Sequence, residues 1–508
     1  MKFLKLFFKW LGLAILALAL LLLSYFLGIF GWQKWTGIQN WKQAQSELRA
    51  QGEKLTFAEL VTAKPVPDSE NFYGDPLWKD VWDAAAAKPT TVKDPNLESH
   101  KLQWAIKRWE TPLSINELAQ LNALFPSSNY PASLKRRDAA LRLETSLNSP
   151  TGENKEQTAR LLLEISTPAE PILNRLAELI KRPASYLPLR YEAGVYMALP
   201  HVPPILSLGR LLGAKAAAEL TLGNTQASAT DIETLLQLTD VLKEPILITL
   251  VVREALLKAT LETLNRGIAI HAWSDEQLRN FQVLLTGKDF IHSRSVAYSG
   301  ERACVDESSL LNISEMDGLS EKQSPVVTWA QFFNEEGEKA FYDLWIQQFI
   351  NLLRNQPKEG LNAKTLPPLV VASDKPKTLK EINYQLKTLA VLLAQGPLRG
   401  GIKRTTETQT AVNQSLIACA LERYRLAHGS YPSSLDALVP EYLAAIAKEL
   451  TTGEPMHYRL LDDGRFLLWS VGWNLQTLNG KPGEYVGEGD IVWNEPLGYK
   501  ERTKPVSK

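Results

Sequence analysis

Hydrophobic side chains are distributed along this chain in two different ways. Residues 11–31 form one uncharged run, whereas beyond residue 40 the apolar positions recur every three or four residues. A hydrocarbon core about 30 Å thick requires about 20 apolar residues of helix, so the run predicts a membrane-spanning helix. The three-and-four spacing predicts amphipathic helices over most of the remaining chain.

The charges that flank the apolar run predict its orientation. Lys2, Lys5 and Lys9 precede the run, and the first acidic residue is Glu47. Because positive flanks stay in the cytoplasm, we expect the N-terminus inside and the bulk of the chain in the periplasm, anchored in the inner membrane of a bacterium. The alternative is a cleaved signal peptide, whose apolar region is about 7–15 residues long and ends in small residues. The bulky residues at 25–32 favour an uncleaved anchor.

The pattern beyond the anchor predicts several regions. Residues 1–34 comprise the cytoplasmic tip and the anchor, and the proline-containing stretch 35–75 is interpreted as a stalk. Helices interrupted by proline-rich loops are expected at 76–204. Capping boxes at 114–117, 230–233 and 274–277 predict helix starts. Residues 205–395 predict a helical bundle or loose tetratricopeptide-like helix hairpins.

The last hundred residues predict a different architecture. A long helix at 405–428 ends at Gly429, which suits a left-handed cap. Short strands follow at 456–461, 465–471 and 490–494, and Asp463-Gly464 predicts a hairpin turn between the first two. The fold class is therefore mainly α with a C-terminal α+β module at 400–496, followed by a tail at 497–508.

This C-terminal region resembles a known family. The stretches ALERYRLAHGSYPSSLDALVPEYL, TGEPMHYRLLDDGRFLLWSVG and GDIVW are similar in order to the globular domain of the major pseudopilin of type II secretion. The resemblance implies a long helix packed on a small antiparallel sheet. The whole chain also resembles uncharacterised bacterial membrane-anchored proteins with a helical middle region. The membrane run lies far upstream of the pseudopilin-like helix, which indicates a carried module rather than a pilus subunit.

The pseudopilin resemblance also implies a calcium site in the last loop. Ser470 matches a family ligand, Asn474 stands where an aspartate is usual, and Asp490 matches the family aspartate. Calcium takes six to eight oxygens, and Glu484 or Glu488 would add charge to this reduced set. The alternative is a turn held by Asn474 and glycines without an ion.

Composition narrows the classes of partner. Lys+Arg and Asp+Glu both number 56, so the net charge is zero and no basic excess indicates nucleic acid. The six histidines are scattered, and no cofactor motif is present. Cys304 and Cys419 could pair in the periplasm, although two buried free thiols are the favoured interpretation.

The sequence predicts a binding or scaffold protein of the envelope, linked to a secretion or pilus-like assembly. The alternative is an envelope enzyme whose active site consists of dispersed residues. Glu301 and Arg302 are expected to form a buried polar pair between helices. Five tryptophans are expected either to line a binding groove or, more simply, to fill the core: Trp329, Trp345, Trp469, Trp473 and Trp493.

Overall fold

The computed structural model describes residues 2–61, 64–86, 112–124, 131, 133–148, 154–307, 325–371, 379–481 and 489–494. It is mainly helical, with one apolar N-terminal helix and a small three-stranded antiparallel sheet near the C-terminus. These features confirm the predicted fold class at this level of detail.

The α-helices are α1 (Lys2–Ala50), α2 (Phe57–Leu60), α3 (Lys79–Ala86), α4 (Ile115–Leu124), α5 (Arg136–Asn148), α6 (Lys155–Ser166), α7 (Glu170–Leu179), α8 (Val202–Thr221), α9 (Thr225–Leu238), α10 (Leu247–Ala269), α11 (Asp275–Thr286), α12 (Phe290–Glu307), α13 (Pro325–Asn355) and α14 (Leu379–His428). The strands are β1 (His457–Leu460), β2 (Phe466–Ser470) and β3 (Ile491–Val492).

The apolar run and the first amphipathic segment form one helix, α1, rather than two. No proline interrupts residues 2–50, and each glycine in this stretch costs only about 1 kcal/mol relative to alanine. The stretch interpreted as a stalk differs from that interpretation, since it lies against the body. Leu48, Phe57 and Phe72 are all buried, and the burial of these apolar side chains holds the segment in place.

Helices α3 to α10 enclose one core, and helices α8 to α12 share a second core with α14. The capping boxes at Ser114 and Ser274 are confirmed, with reciprocal bonds to Glu117 and Gln277. The box predicted at Thr230 is wrong. It lies within α9, which begins after the left-handed Gly223 and therefore has no N-terminus to cap there.

Helix α14 continues through Pro397, so the helix predicted at 405–428 begins much earlier, at Leu379. An internal proline removes one hydrogen bond and strains the helix. Here the surrounding helices hold it, because Leu398 and Ile402 are buried in a third core shared with α12 and α13. The Tyr298 hydroxyl also donates to the Leu398 carbonyl. Tertiary packing therefore overrides the local signal.

The C-terminal half of α14 packs on the sheet. The strands follow the order β1-β2-β3, and both neighbouring pairs are antiparallel. Gly464 turns the hairpin at a φ of 81° and Gly429 ends α14 at the same φ, as predicted. Ile417 and Leu421 of α14 share a core with Leu468 of β2.

Candidate functional site

The N-terminal part of α1 up to residue 28, here called its lower part, carries an apolar surface that the rest of the described structure leaves uncovered. It belongs to a helix long and apolar enough to cross a membrane, and none of its most apolar 18-residue window is buried within the described structure. Leu21, for example, is 67% exposed. A surface of this kind is stable in hydrocarbon and costly in water.

The upper part of α1 packs along α13, and the two helices run parallel. Lys34 pairs with Glu336 at 2.6 Å, and Glu53, just beyond α1, accepts a 2.9 Å hydrogen bond from Gln347. The backbones approach closely at Gly37, where a Cβ atom would lie 3.1 Å from the Gly337 amide nitrogen. Small residues allow such close backbone approach between helices.

Glu53 joins the segment that follows α1 to helices α12 and α13 of the body. Its buried carboxylate accepts from Gln347 at 2.9 Å and pairs with Arg302 at 3.3 Å, and Arg354 donates to it as well. Burial raises the pKa of Glu53, but hydrogen bonds and charges from Arg354 and Arg302 outweigh burial, so the pKa is lowered overall. The carboxylate is therefore ionised and joins α12 and α13 to the segment after α1.

A second pair of acids lies in the same junction. The carboxyl oxygens of Asp306 at the end of α12 and Asp343 of α13 are buried, and all four lack a hydrogen bond of good geometry among the described residues. The nearby Trp41 indole approaches them without completing one. Burial raises the pKa of both groups, and repulsion by Asp306 raises that of Asp343 further. Asp343 therefore retains a proton near neutral pH.

The buried pair expected between Glu301 and Arg302 does not form. Glu301 instead accepts from the Leu247 amide at 3.0 Å, while Arg302 bonds Glu53 and the Lys54 carbonyl. Adjacent residues on a helix point about 100° apart, so each reaches a different neighbour. Sequence reasoning missed the Glu53 network because its partners Arg302 and Gln347 lie about 250–300 positions from Glu53 in sequence.

The predicted calcium residues surround one loop. Ser470 is buried at the end of β2, and the Asn474 side chain accepts from the Gln476 amide at 3.2 Å. Asp490 accepts through Oδ2 from the Leu478 and Gly480 amides at 3.0 and 2.7 Å. Its buried Oδ1 has no partner among the described residues.

These contacts meet part of the requirement for calcium. Asp490 Oδ1 is available as a ligand, but its other oxygen organises the loop, and calcium requires six to eight oxygens. Glu484 and Glu488, the additional acids considered from sequence, lie outside the described residues. The calcium site stays a prediction.

A buried carboxylate joins the helical bundle to the C-terminal module. Glu422 of α14 accepts from Tyr431 at 2.7 Å and from Arg425 at 2.7 Å, and it contacts His271 Nδ1 at 3.0 Å. Burial raises the pKa of Glu422, but these donors outweigh burial and lower it overall. Since His271 follows α10 and Tyr431 follows α14, the carboxylate fixes one unit on the other.

The tryptophans expected in a groove or a core take core positions where they are described. Trp345 and Trp469 are buried, and Trp473 and Trp493 pack half-buried against core clusters. The side chain of Trp329 lies outside the described residues. Cys304 and Cys419 are buried free thiols in different cores.

No group of three or more His, Cys, Asp or Glu side chains among the described residues could hold a metal ion. No protein-family model, curated protein or solved structure matches the chain.

Proposed function

We propose that this protein is a single-pass membrane-anchored scaffold of the bacterial envelope. Its N-terminus lies in the cytoplasm and its body in the periplasm. The observation that carries the proposal is the unbroken helix α1, which runs from an uncovered apolar surface directly into the body. The three lysines before residue 10 support the orientation.

The junction between anchor and body supports a scaffold over a tethered enzyme. A flexible linker allows a domain to search a large volume, whereas α1 leaves the membrane as a helix and is buried along α13. Leu48 is 0% exposed, and the Glu53 network closes the junction. The body is therefore held at one height and in one orientation above the bilayer.

The C-terminal module at 400–496 is the proposed docking part of the scaffold. Its pseudopilin resemblance supports a partner in a secretion or pilus-like assembly. The long helix α14 on a three-stranded antiparallel sheet is the arrangement that the resemblance requires. Glu422 holds this module on the bundle.

The test compares the intact protein with a decoupled variant. Both are expressed with an affinity tag, cross-linked in intact cells, solubilised in mild detergent and analysed by mass spectrometry. In the decoupled variant a flexible ten-residue Gly-Ser insertion follows Gly31, so the anchor and the body stay unchanged while the fixed geometry is lost. We expect secretion or pilus components cross-linked to residues 400–496 in the intact protein and strongly reduced cross-links in the variant.

Two results would contradict the scaffold. One is equal recovery of the same cross-links from both proteins, which would show that fixed geometry is unnecessary. The other is a monodisperse intact protein without cross-links to its module.

The orientation is tested separately with a membrane-impermeant thiol reagent on whole cells. A cysteine at exposed Val283 should react only once the outer membrane is permeabilised, and reaction only after cell lysis would place the body in the cytoplasm.

A further inference from the structure

The N-terminal end of α13 extends toward the membrane beside the anchor. Contacts between α1 and α13 continue from Lys34 and Glu336 up to Glu53 and Arg354. Eighteen residues of helix cover about 27 Å, and two helices that stay together over such a length are nearly parallel. The axis of α13 below Glu336 therefore follows the lower part of α1.

The pairing of Lys34 with Glu336 shows how far α13 extends alongside the lower part of α1. It begins at Pro325, eleven residues before Glu336. Eleven residues of helix span about 16 Å, which places the start of α13 beside residues 23–25 of α1. This level lies within the apolar run 11–31, whose exposed side chains we assign to the bilayer.

Charged residues are also absent from both helices below the same level. On α1 no charged residue lies between Lys9 and Lys34, and on α13 none lies between Pro325 and Asn334. Above this level the charged residues begin together, with Lys34 and Glu336 forming an ion pair. Two helices that change from charged to uncharged at one height indicate a common boundary with lipid.

The composition of residues 325–334 fits the interfacial zone rather than the bilayer centre. The segment contains Trp329, Phe332 and Phe333, and aromatic side chains favour the membrane interface. A helix start has free amide groups that require acceptors, which water and lipid headgroups supply only near the interface. Pro325 as the first helical residue has no amide hydrogen and so removes one of these groups.

We propose that residues 325–334 of α13 insert into the interfacial zone of the outer leaflet beside α1. The body then contacts the bilayer through two helices, one that spans it and one that enters from the periplasmic side. This inference rests on the proposed membrane anchor and adds a second lipid contact to it. The lipid-binding surface is an apolar helix end without charge, so it recognises the acyl and glycerol region rather than a particular headgroup.

The test measures contact with lipid along the segment. Single cysteines replace residues 326–333 one at a time in the full chain and are labelled with a small environment-sensitive fluorophore. The proteins are then reconstituted into phosphatidylcholine vesicles that contain nitroxide-labelled lipids. The native thiols, Cys304 and Cys419, are buried and have pKa values raised by burial, and the unmutated protein measures any labelling of them.

Two control positions bracket the result. Leu21→Cys lies in the apolar run and should be quenched strongly by lipid nitroxides. Val283→Cys is 69% exposed on α11 and should be quenched only by water-soluble agents. Variants whose unfolding temperature differs from that of the unmutated protein are left out, and the eight positions leave enough substitutes.

We expect lipid quenching at a set of positions three or four residues apart between 326 and 333, with shallow nitroxides more effective than deep ones. Labels that all behave like Val283→Cys, while Leu21→Cys is quenched by lipid, would overturn the second contact and leave the anchor intact. Labels that are all shielded from both kinds of quencher would show protein cover instead, which also overturns it. Absence of lipid quenching at Leu21→Cys would overturn the anchor itself.

Discussion

Glu53 has a buried carboxylate that three donors from two helices share. Its side chain is 5% exposed, and its partner Arg302 is 0% exposed. Removing one member of a buried ion pair leaves the other charge without compensation, which costs about 3–5 kcal/mol. We therefore expect Glu53→Ala to lower the free energy of unfolding by this amount, measured by urea unfolding of the protein in detergent.

A surface ion pair provides the control for this substitution. Glu156 and Arg160 bond at 2.7 Å, but their side chains are 68% and 67% exposed. Exposed pairs contribute little because water and salt screen them. Glu156→Ala should therefore leave the unfolding midpoint nearly unchanged. Equal effects of the two substitutions would show that the Glu53 network does not stabilise the junction.

Asp343 gives the junction a dependence on pH. Burial and the neighbouring Asp306 raise its pKa above the ordinary value of 3.8, so the folded protein retains a proton that the unfolded chain loses. Stability is then greatest below about pH 4 for this group and falls as the pH rises toward the raised pKa, by at most about 1.4 kcal/mol per pH unit. Arg302 and Lys339 face the pair and reduce this effect without reversing it.

Asp343→Asn should reduce that dependence. An amide resembles the protonated carboxyl in shape and likewise places no charge beside Asp306. We expect the variant to equal the native protein near pH 4 and to exceed it in unfolding free energy at pH 8. Asp83→Asn on α3, where the aspartate is 57% exposed, is the control and should not change the pH profile. A native-like profile for Asp343→Asn would refute the retained proton.

At the scale of elements, two glycines within helices differ in what surrounds them. A Cβ atom on Gly300 of α12 would lie 1.5 Å from the Pro245 carbonyl oxygen, whereas one on Gly400 of α14 would have no neighbour within 4 Å. Gly300→Ala should therefore force α12 away from the loop before α10 and destabilise the protein by about 2 kcal/mol or more. Gly400→Ala should stabilise it by about 0.5–1 kcal/mol, because alanine favours helix.

Thermal unfolding of the two glycine variants measures both effects under one condition. Both substitutions add one methyl group to a helix, so a difference in sign isolates the contact with Pro245. Destabilisation of similar size in both variants would indicate that the helices respond to any added side chain. Stabilisation in both would show that α12 and the Pro245 loop are not in close contact.

Some features of these helices depend only on residues nearby in sequence, and others depend on distant contacts. The caps at Ser114, Ser274 and Gly429 depend on residues within four positions, and the sequence predicted them correctly. Helix α14 passes through Pro397 because buried neighbours from α12 and α13 compensate for the lost bond. Such compensation depends on contacts distant in sequence, so periodicity could not reveal it.

The candidate site was predictable to a smaller extent than the fold. The apolar run at 11–31 was evident from composition, and so were the residues of the C-terminal loop. The junction above the membrane was not, because Glu53, Arg302 and Gln347 come from three distant segments. A glutamate before a short turn and an arginine within a helix are ordinary surface patterns, and only folding brings them into one buried group.

At the scale of the whole molecule, the two halves of α1 have different surroundings. Residues 11–28 are largely exposed where their side chains are described, whereas Ala44 and Leu48 higher on the same helix are 2% and 0% exposed. The lower half thus contributes lipid contact and the upper half contributes to the fold of the body. Two truncated chains, exported with a cleavable signal peptide, separate these contributions.

The chain 32–508 lacks the N-terminal tip and the apolar run, and the chain 51–508 also lacks the part of α1 that packs on α13. We expect 32–508 to unfold in mild detergent at nearly the temperature of the full chain, since most of the removed side chains that are described are exposed. The chain 51–508 loses several buried side chains, of which Leu48 alone contributes about 1.5–3 kcal/mol, and uncovers α13 at Gly337. It should unfold at a clearly lower temperature or aggregate. If 32–508 were as unstable as 51–508, the membrane run itself would stabilise the body, and the rigid coupling would then begin inside the bilayer rather than above it.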